Sequence, residues 1–253
     1  MERKERILWI AAVAALLALE FVRPRVEGTA WAPLTTILSR LIGAAFFLHL
    51  IRRAGYRVFR PEFTRKSAPV LILALLVAVN NAPILGLLSG RAAVHSKLWE
   101  WLLFILECAA VGCFEELAFR GYVLPWILRR LKHKPHAALL SAAASSAVFA
   151  LLHLVNLFSG SAPGAVLLQV GYSFLIGGMC AAVLIATRSV FLCAAVHFIY
   201  NLGGTLLSRL GEGNQWDPIT VTVTVILGLL TAVVMLLTLY RSDRSAEHLL
   251  PNP

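Results

Sequence analysis

Two adjacent carboxylates, Glu115 and Glu116, stand in a largely apolar stretch, CFEELAFRGYVLPW (residues 113–126), followed by Arg120. Placing one ionised carboxylate in hydrocarbon costs about 3 kcal/mol on insertion scales, so residues of this kind tend to mark function. On a helix, positions four apart share a face, and Glu116 and Arg120 can form an ion pair in the favourable order. Glu115 is rotated by about 100° and points elsewhere. The pair neutralises one carboxylate and leaves Glu115 as a candidate general base for proton removal from water. A planar guanidinium can grip a carboxylate through several donors, which is the role expected of Arg120. The plain alternative for Glu116 and Arg120 is an ion pair that only locks the fold.

Two more pieces lie downstream. Phe149 and His153 occur in SSAVFALLHLVN, and His197 and Asn201 in CAAVHFIYN. The spacing of four in the second puts an imidazole and a carboxamide on one helix face. Both can donate hydrogen bonds, and two donors aimed at one point can stabilise a developing oxyanion. The structural alternatives are a hydrogen-bonded packing histidine at 153 and an interhelical polar clamp at 197 and 201. Together the three pieces offer a base, an imidazole and a donor pair, the parts needed for water attack on a carbonyl. Zinc is the mechanistic rival, with Glu115, Glu116, His153 and His197 as ligands. The H-E-x-x-H spacing of helical zinc sites does not occur, so no metal and no cofactor is expected.

The elements that must position these residues are membrane helices. The chain has 253 residues, 59% hydrophobic and 14% charged, against roughly 25% charged in soluble domains. Mean hydropathy is +0.78. Continuous apolar runs at 7–22, 33–51, 69–88, 98–127, 137–158, 164–187, 189–207 and 218–240 predict about eight spans of an all-α, polytopic membrane helix bundle. Residues 1–95 read as scaffold helices, 98–207 as the functional core, and 218–253 as a covering helix with a polar, disordered tail. At ~1.5 Å per residue, Glu115 lies ~20 Å from the inner end of its helix, His197 ~12 Å and His153 ~24 Å. A common depth therefore requires tilt or a late start of the fifth helix.

The net charge of +10 comes as short clusters between the apolar runs. That distribution excludes a nucleic-acid surface and matches the positive-inside pattern. With the N-terminus inside, 16 of the 23 Lys and Arg fall in inner segments and 5 in outer ones. Both termini are thus expected in the cytoplasm of a multi-pass cell-membrane protein. MERKER and the run after it lack a small-residue cleavage site, so the first helix is expected to stay. Cys108, Cys113, Cys180 and Cys193 lie inside spans without metal or disulfide spacing and read as small buried residues. Glu107 has Arg40 as a possible partner.

The motifs E-E-x-x-x-R (Glu115 to Arg120), F-x-x-x-H (Phe149 to His153) and H-x-x-x-N (His197 to Asn201), one per helix and in that order, resemble the CAAX-protease and bacteriocin-processing family. That family includes the type II CAAX prenyl proteases. Gly177–Gly178 and RSVFLCAAVH are also similar to its pattern. The resemblance spans about 98–207. It implies peptide-bond hydrolysis by a glutamate-activated water, at a cytoplasm-facing or mid-membrane site. Glu115 would be the base, helped by His153, with His197 and Asn201 holding the oxyanion. Glu116 and Arg120 would position and tune Glu115. The implied partners are a peptide or membrane-protein substrate and the lipid bilayer, with no nucleic acid.

Two other classes use the same residues differently. One is a non-enzymatic membrane immunity or partner-stabilising protein on this fold. The other is a proton-coupled transporter, against which the absence of paired repeats with broken helices argues.

Overall fold

The computed structural model describes residues 31–65, 67–158 and 160–251. The predicted first span, 7–22, lies outside them. Helices follow the hydropathy: α1 (Ala32–Ala54), α2 (Ser67–Asn80), α3 (Ile84–Leu88), α4 (Leu98–Glu116), α5 (Leu124–Leu131), α6 (Ala137–Leu152), α7 (Pro163–Thr187), α8 (Val190–Leu210), α9 (Pro218–Tyr240) and α10 (Asp243–Glu247). Among the described residues five helices are long and apolar enough to cross a membrane: Ala32–Ala54, Ala137–Leu157, Pro163–Thr187, Val190–Leu210 and Pro218–Tyr240. Pro33, Pro163 and Pro218 open α1, α7 and α9, where a missing N–H leaves no bond unmade.

Three spans differ in detail from the expectation. The run 69–88 is not one helix: α2 ends at Asn80 and α3 starts at Ile84. Pro83 disfavours helical backbone at the residue before it, which breaks the run. The run 98–127 is continuous but changes winding. Leu117–Val123 is π-helical between α4 and α5, and the Leu124 N–H donates five residues back to the Phe119 carbonyl. Pro125 follows directly; it has no N–H and its ring crowds the carbonyl four residues earlier, which favours the wider turn. The fifth span tightens at its end, with His153–Leu157 forming a 3-10 turn.

The bundle has two unlike ends. At one end gather the basic connections 52–65, 129–136 and 188, with residues 241–251 of the tail. Val190 N–H donates to the Val58 carbonyl (2.8 Å), and Arg57 N–H to that of Leu249 (2.9 Å). The described part of the tail, residues 241–251, is ordered, not disordered as its polarity suggests. Leu249 is 0% exposed, a burial that contributes roughly 2 kcal/mol. Asp243 accepts from the N–H groups of His136 and Ala138, both at 2.9 Å, and so caps the start of α6. At the other end, β1 (Ala92–Val94) pairs antiparallel with β2 (Gly211–Gly213) as a two-stranded ribbon. Arg91 pairs with Asp217 there at 3.0 Å, and the Ser96 hydroxyl donates to the Leu210 carbonyl.

The main apolar core fills the basic half. It joins Ile51, Val58, Leu124, Leu128, Leu184 and Leu249. Among the described residues the ribbon half holds a smaller apolar cluster around Phe104, Cys108 and Leu210, beside which Glu107 of α4 and Arg209 of α8 pair.

Candidate active site

The site is built where α4, the π-helical segment, α6 and α8 meet. Glu116 is 0% exposed, and its Oε1 lies 3.1 Å from Nη1 of Arg120. The same oxygen lies 2.7 Å from Nδ1 of His197. Glu115 is less enclosed, with 17% of its side chain exposed, and its Oε2 lies 3.5 Å from Nε2 of His197. His197 of α8 therefore stands between the two carboxylates of α4. It satisfies both only as an imidazolium, with each ring nitrogen carrying a proton.

Arg120 does not grip Glu116 through a fork, as the sequence suggested. One bond joins them. The rest of the guanidinium lies over the Phe149 ring, its carbon 4.7 Å from the centroid. Phe149 is the hub of the site. Its ring packs on Phe119 (5.0 Å), His153 (5.0 Å) and His197 (6.0 Å). Spacing F-x-x-x-H thus places a flat apolar surface under three charged or polar groups. Ser145 locks the arrangement by donating to the Phe119 carbonyl in the π-helical segment (3.1 Å).

A cavity of about 350 Å³ opens from this cluster, at the low end for a ligand site. Glu115, His153, His197 and Asn201 line it; Glu116 and Arg120 do not. His153 reaches it although α6 begins at Ala137 as expected. A late helix start is therefore not what matches the depths. Nδ1 of His153 lies 3.0 Å from the Phe149 carbonyl. The carbonyl accepts, so Nδ1 carries a proton, and in that tautomer of the uncharged imidazole Nε2 is an acceptor.

Other residues of the cavity were missed by motif reading. Thr205 and Arg209 line it from α8, continuing the interval of four that begins with His197 and Asn201, a polar stripe visible in the sequence. Gln169, Tyr172 and Ser173 line it from α7, and Gln169 accepts from Asn156 at 2.8 Å. Glu107 pairs with Arg209, while Arg40 lies over the Phe114 ring at 5.2 Å. Gly177 of α7 lets the guanidinium in: a Cβ there would lie 2.8 Å from Nη2 of Arg120. The four cysteines are free. Among the described residues, no group of three or more His, Cys, Asp or Glu side chains is placed to hold a metal ion.

A carboxylate, two imidazoles and a carboxamide thus line one cavity between apolar helices. Residues 97–203 match the family described as type II CAAX prenyl endopeptidase Rce1-like. The matched segment holds Glu115, Glu116, Arg120, His153, His197 and Asn201, and it bears out the family resemblance carried by the three motifs. No curated protein and no solved structure matches the chain.

Proposed function

We propose that the protein is an intramembrane endopeptidase of the CAAX type that cleaves a peptide bond with a glutamate-activated water. The observation that carries this is the division between the two carboxylates. Glu116 is sealed and bonded to Arg120 and His197, while Glu115 faces the cavity beside Nε2 of His197.

Glu115 takes a proton from water, and the water oxygen attacks the carbonyl carbon. Nε2 of His153, an acceptor, helps hold that water. Once Glu115 is protonated, it no longer competes for Nε2–H of His197. That donor and the Asn201 amide then hold the oxyanion. Glu115 returns the proton to the departing amine, leaving a new carboxyl and a new amino terminus. Glu116 and Arg120 act through His197 as positioning residues. No metal takes part in this scheme. The substrate is a peptide or membrane-protein segment in the bilayer.

The test is Glu115→Gln, which keeps size and loses the base. Peptide cleavage by the purified variant should vanish while insertion, yield and helical content stay normal. Cleavage at the wild-type rate would remove Glu115 from the mechanism.

A further inference from the structure

Helices α4 and α8 run antiparallel and meet through charged groups at two levels. At the first, His197 stands between Glu115 and Glu116. At the second, Glu107 pairs with Arg209. Glu107 lies eight residues before Glu115, and Arg209 eight after Asn201, so ~12 Å of helix separates the two levels on either side. One cavity reaches both, since Glu107, Glu115, His197, Asn201 and Arg209 all line it.

The second pair is unequal. Glu107 keeps 15% of its side chain exposed and Arg209 43%. Nη2 of Arg209 donates to Oε2 of Glu107, and that is the guanidinium's one hydrogen bond among the described residues. A guanidinium carries five N–H donors in a planar fork and can serve two carboxylates on different edges. Its unspent donors match a planar anion, which takes two parallel N–H bonds. Arg40, the other guanidinium of the cavity, lies over Phe114, the neighbour of Glu115, and so belongs to the first level. Past the pair, Glu100 and Glu212 line a second hollow of about 730 Å³, where a further anion would be repelled.

We infer that Arg209 is a specificity residue that binds a carboxylate of the substrate, from an acidic side chain or from the chain end, with Glu107 as its resident counter-ion. This rests on the endopeptidase reading and adds to it the chemistry that the substrate must carry. An extended chain covers ~3.3 Å per residue, so ~12 Å sets the carboxylate about three or four residues from the cut. The plain alternative is an ion pair that only ties α4 to α8.

The experiment uses the full-length protein in detergent and quenched nonapeptides of neutral, apolar sequence. Each carries one Asp, Asn or Lys at a single position and is made with a free and with an amidated C-terminus, and mass spectrometry locates the cut. The amidated series reads side chains, and comparison with the free series reads the chain end. Wild-type protein should favour Asp over Asn, or the free over the amidated end, by about tenfold in kcat/KM, carried by KM, where the carboxylate stands three or four residues from the cut. Arg209→Gln should bring that ratio close to one. The deciding variant exchanges the charges, Glu107→Arg with Arg209→Glu. It keeps an ion pair between α4 and α8, so a merely structural pair leaves specificity as it was. The inference expects the preference to pass to Lys at the same positions. If the exchanged protein does not accumulate, Arg209→Lys decides instead: the charge stays, the fork is lost, and the ratio should fall. No carboxylate preference in the wild type, a preference that survives Arg209→Gln, or a wild-type ratio in the deciding variant overturns the inference. If the wild type cuts no peptide, the endopeptidase reading falls. Fluorescence anisotropy of the same peptides then decides for Arg209: tighter binding of the carboxylate form, erased by Arg209→Gln, supports its role, and equal binding of the two forms overturns it.

Discussion

Alanine at Gly177 tests whether Arg120 is held in place by packing, with Gly178 as its control. A Cβ at 177 would meet Nη2 of Arg120 at 2.8 Å and both Cβ and Oγ of Ser146 at 2.9 Å, whereas ordinary contact begins near 3.4 Å. At 178 no described atom lies within 4 Å of the added Cβ. Both changes gain the same helix propensity, ~1 kcal/mol for glycine to alanine. Their difference therefore isolates overpacking, about 1–3 kcal/mol for an extra methyl in a filled site. Arg120 is pinned between the Phe149 ring and Glu116, so it has little room to yield. A melting difference of roughly 2–12 °C follows at ~2–4 °C per kcal/mol. A guanidinium displaced by ~1 Å would shift Glu116 and His197, and misplacement on that scale can cost ~10²-fold in rate. The assay is thermal unfolding in detergent together with peptide cleavage for the two variants. Equal melting and equal turnover at 177 and 178 would refute the packing account.

Three further outcomes are expected. Arg120→Lys should fold but cleave poorly, because lysine has no planar face to lie on Phe149. Arg120→Ala should lose about 3–5 kcal/mol, the cost of stranding a buried carboxylate, and Glu116→Gln with Arg120→Gln should recover expression without activity; yields and cleavage rates decide. Asn201→Ala should lower the rate by roughly 10²–10³, as for one oxyanion donor, and chelators should leave cleavage intact; loss with a chelator and recovery with zinc would point to a metal enzyme. Asp217 caps α9, and the backbone and hydroxyl of Thr220, then Ile219 and Arg91, hold its carboxyl below the usual range. A lowered value in the folded protein means stability present above about pH 4 and lost as pH falls through the folded value. Thermal scans should show that acid loss in the native protein and a smaller one in Asp217→Asn.

Much of the fold was legible because hydropathy alone carries it. The runs 33–51, 164–187, 189–207 and 218–240 return as α1, α7, α8 and α9 within a few residues. The ion pair of Glu116 and Arg120 was legible because both residues lie on one helix. What stayed hidden depends on contacts between helices. Nothing local says that His197 sits between Glu115 and Glu116, since 81 residues separate it from the latter. The spare donors of Arg120 suggested a fork, but the Phe149 ring takes up the guanidinium face instead. The tail read as disordered because its two leucines, Leu249 and Leu250, form too short an apolar signal, although both are buried.

That docked tail has a consequence for how the protein is made. The N-terminus of α6 carries no cap of its own, since His136 sits in a left-handed conformation and offers no side-chain bond. Its cap, Asp243, is 107 positions later in the chain. During synthesis, the helix that delivers Phe149 and His153 has no protein cap from Asp243 until the last span has been made, and water must serve its first turn. We expect completion of the chain to act as a clock that steadies this turn and, with it, the site. A product stopped after Tyr240 would keep every candidate catalytic residue and every described span. We expect it to insert normally and still lack a settled site, a state that protease susceptibility near residues 132–140 would reveal; a truncation as resistant and active as the full chain would show that the clock is not needed.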